Sequence, residues 1–148
     1  MIFLLLVGGL IAGACIPVQT AINSTLAGGV KSPFLASTIS FFVGTLTLVI
    51  ITLIVDHGLG MPLAVIAHYP WWIWTGGLIG VCYLTSNILL LPRLGAALTV
   101  VVTLCGQMIM AVAIDEFGWF GVPVHDINLP RVIGVLCMLA GVVLMQRF

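Results

Sequence analysis

The chain has 148 residues, of which four are Lys or Arg and four Asp or Glu, for a formal net charge of zero. A charged fraction of 5% and a mean hydropathy of +1.35 lie far from soluble domains, where about a quarter of residues are charged. With no basic cluster or basic arm, nucleic-acid binding is excluded, and so is electrostatic recruitment to an anionic lipid surface.

The uncharged runs are 1–30, 32–55, 57–92, 94–114 and 132–146. A hydrocarbon core about 30 Å thick takes roughly 20 apolar residues per helix. The predicted architecture is therefore an all-α membrane protein, one transmembrane domain over 1–148, with five spans at about 2–26, 34–55, 71–91, 95–114 and 130–146.

The first span holds Pro17, and Gly28, Gly29, Lys31, Ser32 and Pro33 are expected to end it in a short turn. Its start loosely resembles a lipoprotein leader at Ala12, Gly13, Ala14 and Cys15. Without a basic n-region, and with apolar sequence continuing past Cys15, it is expected to be retained. Gln19 and Asn23 are four apart, hence on one helical face. Two readings fit that face: a pore lining that presents two amides, or amides that bond neighbouring helices. Pro17 has no N–H, so one carbonyl at this depth is freed for Gln19, Thr20 or water.

The second span sets Ser37, Ser40, Gly44 and Thr47 along one stripe, which reads as packing because hydroxyls can bond back to their own helix. A loop follows from Gly58 to Pro70, and its apolar stretch 61–67 is too short to cross and is expected at the interface. The third span places Gly76, Gly80, Tyr83 and Asn87 on one face, packing at one end and lining a cavity at the other. Residues Pro92 to Gly95 are expected to form a tight hairpin into the fourth span. There Thr99, Thr103 and Gln107 recur at four-residue steps, and Gln107 near mid-span needs a partner, either a neighbouring helix or a solute. A polar loop from Asp115 to Leu129 leads to the fifth span, opened by Pro130. Asp115 reads as a solvated cap, and Arg131 as a side chain snorkelling to the headgroups.

The glycines expected to serve close helix packing are Gly9 and Gly13, Gly44, Gly76 and Gly80, and Gly134 and Gly141. Tyr69, Trp71, Trp72, Trp74, Phe117, Trp119 and Phe120 cluster at span ends as interfacial anchors.

Function is bounded by what the spans lack. Cys15, Cys82, Cys105 and Cys137 are scattered singly, with no ligand spacing, so no metal or other cofactor is expected. His57, His68 and His125 are all in loops with no nucleophile beside them, which argues against an enzyme. No acid lies deep in a span, so the alternating protonation used by proton-coupled carriers has no seat here. Lys31, Arg93 and Arg147 fall on one side and Arg131 with both longer loops on the other. That bias favours N-out, C-in, but it is small enough to permit insertion in both orientations.

The residues resemble the YdcZ family of small bacterial inner-membrane proteins, within the drug/metabolite transporter superfamily. The likeness runs nearly end to end: Gln19 to Asn23, Ser40 to Gly44, Pro70 to Trp72 with Gly76, Gly77 and Gly80, Pro92 to Ala97, Gly106 and Gln107, then Asp115, Phe117 and Gly118. The resemblance implies a five-helix half-unit of the superfamily fold, pairing antiparallel with itself or with an oppositely oriented paralogue. It implies a substrate site near the midplane and a fifth helix that braces the dimer. The first-helix glutamate of the related small multidrug resistance proteins has no counterpart, so their proton-coupled cation exchange does not carry over.

The expected function is alternating-access transport of a small neutral or zwitterionic metabolite, with Gln19, Asn23, Tyr83, Asn87 and Gln107 as its hydrogen-bonding lining. A passive channel and a non-transporting helper subunit are the alternatives.

Overall fold

A computed structural model describes residues 2–60 and 68–147. The interfacial stretch expected at 61–67 lies outside the described residues. Among the described residues, four helices are long and apolar enough to cross a membrane by length and composition. They are α1 (Ile2–Val30), α2 (Pro33–Val55), α3 (Gly76–Phe117), preceded by a 3-10 turn at Trp71–Thr75, and α4 (Leu129–Arg147). No strand occurs among the described residues. The chain forms two compact units, 1–92 and 93–148.

In the first unit, α1 runs beyond the expected end and through Gly28 and Gly29 to Val30. Glycine weakens a helix but does not itself end one. The stop is Lys31, whose φ of 56° is left-handed, with the Ser32 amide closing back on the Ala27 carbonyl at 3.2 Å. This is the six-to-one closure of a helix C-terminus. Ser32 then caps α2, its hydroxyl accepting from the Leu35 amide at 3.2 Å, and Pro33 occupies the first turn, where no N–H is needed. Three consecutive residues thus end one helix and start the next, which packs beside it.

The core of this unit is small. Ala36, Leu84 and Ile88 are buried, with Leu26, Ala27, Val30 and Phe41 packed against them. Hydroxyls knit the same region: Ser37 Oγ donates to the Pro33 carbonyl at 3.0 Å and lies within hydrogen-bond distance, 2.9 Å, of Thr85 Oγ1. Most of the aliphatic surface elsewhere on α1 and α2 is exposed, as membrane helices require.

The run α3 departs from helical geometry at Gly95, with φ 75° and ψ 167°, giving arms at 76–94 and 96–117. Pro92 and Leu94 stay within the first arm, so of the four residues expected to turn only Gly95 leaves helical geometry. That backbone region is essentially reserved for glycine. The second unit contains the 96–117 arm, a loop with a 3-10 turn at Trp119–Gly121, and α4. The helix α4 starts at Leu129, one residue before the expected proline, and Asn128 caps it, its side-chain oxygen accepting from the Arg131 amide at 3.0 Å.

Candidate functional site

Two cavities adjoin the α1–α2 pair. The larger is a groove of about 720 Å³ lined by Ile11, Ala14, Cys15, Val18, Gln19, Ile22, Asn23 and Leu26 of α1 and by Ile39, Ser40 and Val43 of α2. The smaller, about 230 Å³, is lined by Gln19, Ser40, Phe41, Gly44, Thr45, Leu48 and Leu84. Gln19 and Ser40 line both, so their polar groups mark the boundary between the two spaces.

The i, i+4 spacing brings Gln19 and Asn23 to one groove wall. Asn23 is buried, and its amide donates to Ser40 Oγ across the helix pair at 3.1 Å. One residue thus serves both readings of that face: it lines the groove and it joins two helices. Gln19 is exposed and sits near the middle of α1. Pro17 removes the N–H that would meet the Gly13 carbonyl, while the nearby Thr20 hydroxyl donates to Ile16 instead, at 2.9 Å.

The other expected lining residues are placed differently. Asn87 is buried, its amide donating to the carbonyl of Tyr83 in its own helix at 2.8 Å, and neither residue lines the two cavities. Gln107 lies exposed on the 96–117 arm, in the second unit. Of the packing glycines, Gly80 is close to a neighbour: a Cβ there would stand 3.4 Å from the Phe41 ring. A Cβ at Gly9, Gly13, Gly44, Gly76, Gly134 or Gly141 would meet nothing within 4 Å among the described residues.

Two features escape a reading of the sequence. Ser40 sits on a stripe that reads as packing, yet it is the bridging hydroxyl of the groove. In the second unit, Asp115 is not a freely solvated cap: its Oδ2 accepts from Arg131 Nη1 at 3.2 Å, both side chains being one-third exposed. The same Nη1 donates to the His125 carbonyl at 3.2 Å, and Glu116 accepts from the Ile127 amide at 2.6 Å, folding the loop over the helix ends. The signal available in sequence was a pair of opposite charges on one side of the membrane at the ends of consecutive spans.

No group of three or more His, Cys, Asp or Glu side chains able to hold a metal occurs among the described residues. The groove carries no carboxylate, ammonium, guanidinium or imidazole, so it can recognise a solute by shape and neutral hydrogen bonds but cannot pair a net charge.

Four long apolar helices with so little charge define a multi-pass integral membrane protein. The chain belongs to the family described as "Putative inner membrane exporter, YdcZ", whose model matches residues 4–144. That places it in the inner membrane, in a family of membrane transporters. In comparisons with curated proteins and with solved structures, nothing matches.

Proposed function

We propose that the protein moves a small neutral or zwitterionic metabolite across the inner membrane by alternating access, as an antiparallel pair of five-span chains. The observation that carries this reading is the α1–α2 groove, a space of about 720 Å³ whose hydrogen-bonding side chains are Gln19, Asn23 and Ser40. Apolar walls with a few placed polar groups are what small-molecule sites have in common. Family membership among exporters supports outward movement.

The break at Gly95 supports counting α3 as two spans, which makes five. Two five-span chains of opposite orientation are the two-chain form of an inverted repeat, which sets a substrate site at the repeat interface. In this scheme the polar side chains of the groove itself, Gln19, Asn23 and Ser40, hold the solute.

The test begins with a thermal-stability screen of neutral and zwitterionic metabolites, because a ligand that binds only the folded state raises its stability. Flux of a stabilising solute is then measured in proteoliposomes. The expected flux is saturable and accelerated by solute on the opposite side, and Gln19→Leu lowers it about tenfold at limiting solute, the effect of one lost hydrogen bond. Linear flux without counterflow, or full activity in Gln19→Leu, contradicts the proposal.

A further inference from the structure

The second unit contains a forked apolar seat beneath an ion pair. One cleft of about 520 Å³ runs between the 96–117 arm and α4, past Met108, Gly134 and Met138, and has Asp115 and Arg131 in its wall. A second, about 170 Å³, is lined by Ile109 and Leu136 and also by Arg131. The two share Val112, Val135 and Arg131, so both apolar clefts adjoin one charged side chain.

The ion pair is only partly used. Arg131 makes its side-chain bonds through Nη1 alone, to Asp115 Oδ2 and to the His125 carbonyl, leaving Nη2 and Nε without a partner among the described residues. Asp115 accepts through Oδ2 and offers its second oxygen. Both side chains are one-third exposed, so the unused donors and acceptor are within reach of a ligand. The pair is neutral as a whole and favours neither a net anion nor a net cation. It suits a ligand carrying both charges, an anion for the guanidinium and a hydrogen-bond-donating cation for the carboxylate. The apolar clefts extend that match to a ligand with two hydrocarbon chains attached.

We propose that Asp115 and Arg131 form the headgroup site of a zwitterionic phospholipid bearing a primary ammonium, its phosphate on Arg131, its ammonium on Asp115, and its acyl chains in the two clefts. Basic pockets between membrane helices bind lipid phosphates, and here the paired carboxylate adds a seat for an ammonium. The ammonium distinguishes this ligand: a quaternary headgroup has no N–H to give Asp115, and a glycerol headgroup offers it only neutral hydroxyls while adding a net negative charge to a neutral pair.

Native mass spectrometry of the full chain, delipidated and then titrated with phosphatidylethanolamine, phosphatidylcholine or phosphatidylglycerol, tests the site. The expected result is one phosphatidylethanolamine retained per chain at roughly tenfold lower concentration than the other two lipids. Asp115→Asn is expected to erase the preference over phosphatidylcholine, and Arg131→Gln to abolish retention. Because Arg131→Gln leaves a carboxylate unpaired and can unfold the loop, Gly134→Leu provides the independent variant. A side chain there begins in open space and projects into the larger cleft, so it should weaken retention at least fivefold while the ion pair stays intact. Equal retention of the three lipids, or undiminished retention in both Asp115→Asn and Gly134→Leu, overturns the proposal. Displacement by soluble phosphoethanolamine at the same concentration as the lipid also overturns it, since the clefts would then contribute nothing.

Discussion

At the scale of single residues, the polar side chains of this protein do two jobs at once. Asn23 is buried and bonded to Ser40, which a single-helix view presents as packing, yet both line the groove. Such interhelical bonds contribute on average about 0.6 kcal/mol in membrane proteins. They suit a contact that must hold two helices and also exchange partners with a solute. Gly118 is the opposite case, fixed by backbone alone. Its φ is 59°, and a Cβ there would stand 2.8 Å from Val124 Cγ2, a stiff branched side chain that cannot swing away. Gly118→Ala is therefore expected to destabilise the purified protein by about 1–3 kcal/mol. Adding Val124→Ala should recover part of the loss by removing the clash while the dihedral cost stays. A melting temperature unchanged by Gly118→Ala would show that the loop does not hold this geometry.

At the scale of elements, the existence of the apolar spans is legible from charge spacing alone, and their ends are less so. The glycines at 28 and 29 look like a helix stop, but the left-handed residue is Lys31, and nothing about a lysine signals that. The start of α2 is plain in the sequence because Ser32 and Pro33 each supply a local physical reason. Within the groove, Gln19 and Asn23 could be paired from helical periodicity, whereas Ser40 could not. Its role depends on the register of α2 against α1, which no single-helix period encodes. The Asp115–Arg131 pair was hidden for a similar reason, since it forms only once the loop between them has folded. Gly95 is where the helical geometry of α3 breaks, three residues after the proline that opens the expected turn. Gly95→Ala must place a Cβ in a backbone region that only glycine occupies freely. The expected cost is about 1–3 kcal/mol in thermal unfolding. No change would mean that the two arms are joined by another geometry.

At the scale of the whole molecule, scarcity of charge is the organising fact. It makes the chain a membrane protein, leaves the groove without charged lining residues, and gives only a weak preference for one orientation. If one chain forms both halves of an antiparallel pair, a His125→Cys variant with the native cysteines replaced should label from both faces of the membrane. Labelling from one face only would require an oppositely oriented paralogue or refute the pairing. The substitution leaves every Lys and Arg in place, so the orientation bias is not altered by the probe.

The central claim is that the α1–α2 groove receives the solute, and Cys15 offers a direct reporter because it is exposed and lines that groove beside Gln19. The measurement is the rate at which a small maleimide modifies Cys15 in a Cys82→Ser, Cys137→Ser variant, with and without a solute that stabilises the protein. The account predicts that the solute slows modification severalfold and that Gln19→Leu removes the protection. A stabilising solute that leaves the Cys15 rate unchanged would contradict it.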